Sequence, residues 1–181
     1  MSGHVLVAYA SKMGSTAEIA AGIGAEIREH GHLVDVRNVK HVQSVAEYDA
    51  VVLGSALYNR AWRPEAVHFL SKHAEELRAR EVWLFHSGPI GPHADGLQAM
   101  PRKVRELAER IGAQPAMTFA GRLEPETAQG FLARRMAATV LAGDVRDWDV
   151  IGAWAQDVAA AISAAEAGCW NRPGQSQEVS R

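Results

Sequence analysis

Seven residues near the start of the chain, Ala10-Ser11-Lys12-Met13-Gly14-Ser15-Thr16, gather three hydroxyls and a glycine into one short loop. An apolar run, His4 to Tyr9, precedes them, and Ile19, Ile23 and Ile27 follow at helical spacing. A loop of this kind between a buried strand and a helix suits an anionic group. The N–H groups of the helix's first turn have no intrahelical partner, and the positive end of the helix dipole lies there. Gly14 lets the backbone close around a phosphate, while Ser11, Ser15 and Thr16 offer hydroxyl donors. The plainer alternative is an ordinary strand-to-helix turn with Ser15 as its N-cap.

Two later stretches add groups that could flank a ring. Ser55 to Arg63 reads as a loop carrying Tyr58 and Trp62, flat side chains able to stack on a ring or, alternatively, to pack on the next helix. Ser87-Gly88-Pro89-Ile90-Gly91-Pro92 is a rigid loop with no helical option. Metal chemistry finds no support, because a proline-rich loop separates His86 from His93 and no acidic or thiol partner stands nearby. The single cysteine, Cys169, excludes an internal disulfide and reads as a bystander. No pair of side chains forms a convincing acid–base couple, so the reactivity would come from a cofactor.

The elements that must position these residues follow from periodicity. His32 to Arg37 alternates as an edge strand with one wet face, and Asp49 to Gly54, apolar in its interior, is a strand covered on both faces. Pro64 opens a helix carrying Val67, Leu70, Ala74 and Leu77 at core spacing. Glu81 to His86 supplies a fourth strand. Val104, Leu107, Ala108 and Ile111 mark a helix ended by Gly112, and Ala116 to Ala120 makes a fifth strand. Glu126 to Leu141 reads as an extra helix, and Trp148, Ile151, Ala155, Val158 and Ile162 as a last one that covers the sheet. Strands alternating with helices give an α/β fold: a parallel sheet with right-handed crossovers and helices on both faces. One domain over residues 1–167 is expected, with an extra helical segment at about 124–143 and a flexible tail at 168–181. Three loops then converge at the carboxyl ends of the strands, where open sheets of this type bind ligands. A phosphate grip with two ring-flanking loops describes a site for FMN.

On these residues the chain resembles the flavodoxins. Ser11-Lys12-Met13-Gly14-Ser15-Thr16 is similar to their phosphate loop, Ser/Thr-x-Thr-Gly-x-Thr, and departs from it where Met13 replaces a hydroxyl residue. That loop, Asp49 to Ala56, Asp147-Trp148-Asp149 and the added segment resemble more closely the menaquinone-dependent protoporphyrinogen oxidase branch, over about residues 4 to 165. The resemblance implies a doubly wound five-stranded parallel sheet in the order 2-1-3-4-5, with FMN as cofactor. It implies phosphate contacts at Ser11, Lys12, Gly14, Ser15 and Thr16 around Met13, with the Lys12 side chain itself solvated. It implies ring contacts at Ser55, Ala56, Leu57 and Tyr58, and at Ser87, Gly88 and Pro89. Met13 also raises the alternative of the same fold without FMN, or with a deazaflavin.

The function so implied is an FMN-dependent oxidoreductase acting on a small substrate or a quinone-linked couple. The alternative is a flavodoxin-type electron carrier serving a redox partner protein. Charge separates the two. Carriers of this family are strongly acidic around the flavin, whereas here Arg60 and Arg63, with His86 and His93 opposite, face Asp95 alone. Positive charge there favours the reduced, anionic flavin and raises its potential. A net charge of −2 offers little steering toward a partner protein and no case for nucleic acid. A phosphoacceptor signalling domain would need clustered acids after the first strand, where Ala10 and Ser11 stand. No leader or membrane-spanning run is evident, so a cytoplasmic protein is expected. The segment at 124–143, with Arg134 and Arg135, could border a substrate cleft, rest on the inner face of a membrane, or form a homodimer contact.

Overall fold

The period-two alternation of the first apolar run decides the architecture. In β1 (His4–Ala10), Leu6, Ala8 and Ala10 join one core while Val5 and Val7 join another, because successive side chains of a strand point to opposite faces. The computed structural model describes residues 2–58, 60–88, 99–123 and 143–170, and the same division recurs in β3 (Ala50–Tyr58) and β5 (Glu81–Gly88). One core packs Leu6, Leu53 and Leu84 against α2 (Pro64–Lys72) and α4 (Arg102–Ile111). The other packs Val7, Val52 and Phe85 against α1 (Ser15–Glu29) and α5 (Trp148–Trp170).

Five parallel strands run in the order β2 (Leu33–Asn38), β1, β3, β5, β6 (Met117–Ala120). Counting the parallel strands alone, this is the expected 2-1-3-4-5 order. A sixth, β4 (Ala61–Trp62), pairs antiparallel with the end of β3. Two expected loops are therefore strand. β3 continues past Gly54 to Tyr58 and folds back, with Leu57 opposite Trp62 and Tyr58 opposite Ala61. The Ser55 hydroxyl closes this hairpin by accepting the Arg63 N–H at 3.0 Å. β5 runs through Ser87 and Gly88 because β3 and β6 on either side still supply ladder partners, Ala56 for Ser87 and Ala120 for Gly88.

Other boundaries move for local reasons. His32 lies before β2, where its buried ring accepts the Gly3 N–H at 3.2 Å. The helix opened by Pro64 breaks at His73 and resumes as α3 (Ala74–Leu77); its inward face is Ala66, Phe69, Leu70, Ala74 and Leu77, with Val67 only half-buried. Gly112 ends α4 in the left-handed conformation at φ 71°, as a glycine after a helix readily does. Asp147 caps α5 by accepting the N–H groups of Asp149 and Val150 at 3.1 and 3.0 Å. Trp148 is not a core residue but a rim one, 45% exposed, with its ring over Gly22. The helical backbone of α5 reaches Trp170, past the expected start of the tail. The expected helix over Glu126 to Leu141 lies outside the described residues; its stem is β7 (Arg122–Leu123) paired antiparallel with β8 (Gly143–Asp144). Among the described residues, no helix is long and apolar enough to cross a membrane.

The outer strand β2 carries one perturbed carboxylate. The Tyr48 hydroxyl donates to Asp35 at 2.8 Å, and Arg37 pairs with the same oxygen at 2.8 Å. The Tyr48 hydrogen bond and the nearby Arg37 charge hold the Asp35 carboxyl below its usual value. A lowered folded value stabilises the protein above the ordinary carboxylate range, and that gain is lost as pH falls through the folded value. Tyr48→Phe is expected to return Asp35 toward its usual value, read by carboxyl-carbon NMR, and to make stability less sensitive to acid.

Candidate functional site

Strand register brings the expected loops together. Ala10 pairs with Ser55, Ser55 with His86, and Ala56 with Ser87, so the ends of β1, β3 and β5 lie side by side at the carboxyl edge. The chain leaves β1 through Ser11, whose hydroxyl accepts the Gly14 N–H at 3.0 Å. Gly14 then turns at φ 91°, ψ −33°, and α1 begins at Ser15. Gly14, not Ser15, holds the N-cap position, and no side chain caps the helix. The first-turn N–H groups thus have no side-chain cap, and the positive end of the helix dipole lies among them.

The hydroxyls divide into two kinds. Thr16 is buried, and its hydroxyl lies 2.6 Å from that of Ser87, tying the loop to β5. Ser15 accepts the Arg122 N–H at 3.1 Å, which leaves its own proton for a ligand. Ser55 is fully buried and its hydroxyl serves the hairpin; its contribution to a ligand would come from the backbone. Thr16→Val keeps the shape but orphans the Ser87 hydroxyl, and should cost about 1–2 kcal/mol on denaturant unfolding.

The aromatic residues part company. Tyr58 is half-buried, and the Lys12 ammonium sits 4.6 Å above its ring centre. Lys12 is therefore not simply solvated: it joins the loop to the hairpin by a cation–π contact. Trp62 does not flank the edge at all. It is 4% exposed, belongs to the α2-side core, and donates its indole N–H to His86 Nδ1 at 3.3 Å. Buried His86 thus accepts at Nδ1 from an indole, which can only donate, and its Nε2 lies 2.9 Å from the Thr118 hydroxyl. Arg63 is paired with Glu65 at 3.0 Å, which leaves Arg60, exposed at φ 60°, as the outward cation of the hairpin. Pro89, His93 and Asp95 lie outside the described residues. Among the described residues, no group of His, Cys, Asp or Glu could hold a metal ion.

One feature escaped sequence reasoning. Glu18, in the first turn of α1, receives Arg122 at 2.6 Å and Arg146 at 2.7 Å. Arg146 also pairs with Asp144, and its side chain is 4% exposed. Asp144 holds the Arg146 guanidinium above its usual range, and Arg146 in turn holds the Asp144 carboxyl below its own. The β7–β8 stem is thereby clamped to the start of α1. These partners lie 104 and 128 residues from Glu18 in sequence, so no local pattern signals them.

A parallel sheet reversing between β1 and β3, with a glycine-turned, uncapped helix start at the reversal, is a recurrent binding architecture. The model of the flavodoxin domain matches residues 6–147. The chain belongs to the flavodoxin-domain family. A stretch of 76 residues is 30% identical to the protoporphyrinogen IX dehydrogenase (quinone) of Escherichia coli K12, covering 41% of this chain and 42% of that protein. The match thus spans less than half the length of that curated relative. Oxidised flavodoxin 1 of Bacillus cereus superposes with a TM-score of 0.58 at 15% identity, covering 85% of this chain and 95% of that one. The rubredoxin oxygen:oxidoreductase of Desulfovibrio gigas gives 0.57 at 17% identity, over 89% of this chain and 36% of that larger one. A Fusobacterium nucleatum flavodoxin mutant bound to flavin mononucleotide gives 0.51 at 18% identity, over 66% of this chain and 70% of that one. These structural likenesses are likenesses of the flavodoxin fold.

Proposed function

We propose that this flavodoxin domain binds FMN at its carboxyl edge and works as an FMN-dependent oxidoreductase on a small substrate or a quinone-linked couple. The observation that carries the reading is the helix start behind Gly14: open first-turn amides, turned by a positive-φ glycine, at the point where the sheet reverses. The donor set suits a phosphate-tailed ring. Ser11, Lys12, Gly14, Ser15 and Thr16, with Met13 among them, would form the phosphate cradle; Ser55, Ala56, Leu57, Tyr58, Ser87, Gly88 and Pro89 would border the ring. FMN supplies the electron-accepting chemistry. The chain's own groups hold the phosphate by amides and the Ser15 hydroxyl, keep the cradle in register through Thr16 and Ser87, and set positive charge nearby through Lys12 and Arg60.

The oxidoreductase reading draws on the partial identity to the protoporphyrinogen IX dehydrogenase and on the clamped stem that carries the segment between β7 and β8. The loss of His86 and Arg63 as free cations weakens the charge argument and keeps an electron carrier as the second reading, in line with the flavodoxins that share the fold. Purified protein is expected to be yellow, with a flavin spectrum, or to become so with riboflavin 5′-phosphate. A protein that stays colourless in excess riboflavin phosphate refutes FMN binding. A bound flavin with a potential as low as an acidic carrier's, unreactive toward protoporphyrinogen and menaquinone analogues, would favour the carrier.

A further inference from the structure

The three hydroxyls of the cradle loop are fixed from three directions. Ser11 is tied within the loop by accepting the Gly14 N–H, and Thr16 is tied to β5 through the Ser87 hydroxyl. Ser15 is tied to β7, by accepting the Arg122 N–H at 3.1 Å. A serine hydroxyl has one proton and two lone pairs, so an N–H that occupies a lone pair directs the proton elsewhere. Among the described residues, no acceptor takes that proton.

β5 is a central strand of the sheet, but β7 lies outside it. It has two residues and pairs with the two-residue β8 alone, and an isolated hairpin of that kind has little stability of its own. Glu18 supplies the missing support. Its N–H donates to the Gly14 carbonyl at 3.0 Å, which places it in the first turn of α1. One of its carboxylate oxygens receives Arg122 of β7 at 2.6 Å, and the other receives Arg146, just beyond β8, at 2.7 Å. Arg146 is 4% exposed and reaches back to Asp144 in β8, so both strands of the stem are gathered on this one side chain. Two arginines and two carboxylates carry no net charge together. What the cluster offers an anion nearby is placement rather than charge.

We propose that Glu18 is a positioning residue of the phosphate cradle. By holding Arg122 and Arg146 it sets β7 against Ser15, and the Arg122 N–H then keeps the Ser15 hydroxyl turned as a donor toward the phosphate. The inference rests on the FMN reading above and adds a selectivity to it. A hydrogen bond to a charged acceptor is roughly twice as strong as one between neutral groups, so the clamp favours FMN over riboflavin, whose chain ends in a neutral hydroxyl.

The test compares dissociation constants for FMN and riboflavin, by quenching of flavin fluorescence, on the full chain freed of flavin. Glu18→Gln keeps the shape but leaves one acceptor for two guanidinium groups. It should weaken FMN binding about three- to tenfold and leave riboflavin binding unchanged. Glu18→Asp keeps the charge at the helix start and shortens the reach by one methylene, so the same loss is expected without a change of charge. Ser15→Ala should cost about tenfold for FMN, and on that background Glu18→Gln should cost nothing further. Glu26→Gln, which removes a carboxylate bonded to Gln156 from the same helix, should alter neither constant. Wild-type protein that binds neither flavin ends the FMN reading and this inference with it. Wild-type protein that binds FMN, with the Glu18 variants binding it equally well or more tightly, overturns the positioning role alone. Equal losses for FMN and riboflavin would make the clamp a general support, and a full Glu18→Gln cost without the Ser15 hydroxyl would route its effect past that group; either result overturns it.

Discussion

Gly54→Ala is expected to destabilise the protein by about 3 kcal/mol, near the upper end of what overpacking a core costs. Gly54 sits in the middle of the sheet, paired with Tyr9 on one side and Phe85 on the other. A Cβ built there lands on the Phe85 ring. That ring cannot swing away: it is fully buried and lies against Phe119 at 5.7 Å and Trp154 at 6.1 Å between centroids. The added methyl must therefore move the aromatic cluster, α5 above it, or β3 itself. For a domain of this size the melting temperature should fall by about 6–12 °C. Combining Gly54→Ala with Phe85→Leu should recover part of the loss, because the two substitutions share one volume. A melting temperature unchanged by Gly54→Ala would mean that Phe85 does not cover this glycine.

That glycine also marks where sequence reasoning reached its limit. The strands, their order and the Ser11–Thr16 loop were legible because alternation, helical spacing and turn residues are local signals. Gly54 read as the end of a strand because glycine usually interrupts one. Here it is a strand residue whose missing side chain makes room for Phe85 across the ladder, and nothing within a few residues of it says so. Trp62 failed for the same reason. An aromatic residue in a segment read as a loop looks available to a ligand, but β4 turns it inward onto His86, which comes from a strand 24 residues later. The charge argument for a raised flavin potential inherited that error. Arg63 and His86 counted as free cations in one dimension; in three, one has Glu65 and the other is a buried ring held by Trp62 and Thr118. Tyr58 kept an accessible face, and the structure adds the Lys12 contact that sequence spacing did not suggest.

Gly14→Ala should weaken FMN binding about ten- to hundredfold, equivalent to about 1.4–2.8 kcal/mol. The residue holds φ 91° with ψ −33°, outside the region a side chain tolerates cheaply; forcing alanine there costs on the order of 1–3 kcal/mol. Space is not the obstacle, since the nearest atom to the new methyl would be Glu18 Oε1 at 3.8 Å. The backbone is. Relaxing φ would rotate the peptide that leads into Ser15, break the Gly14 N–H bond to Ser11, and turn the first-turn amides away from the edge where the phosphate tail would rest. The control is Gly31→Ala at the far end of α1. Gly31 has the same φ of 91° and open space around it, so alanine there pays a similar backbone cost in melting temperature. Because Gly31 lies one helix length from the cradle, its substitution should leave flavin affinity unchanged. Equal losses of affinity in the two variants would trace the effect to general destabilisation and remove Gly14 from the binding site.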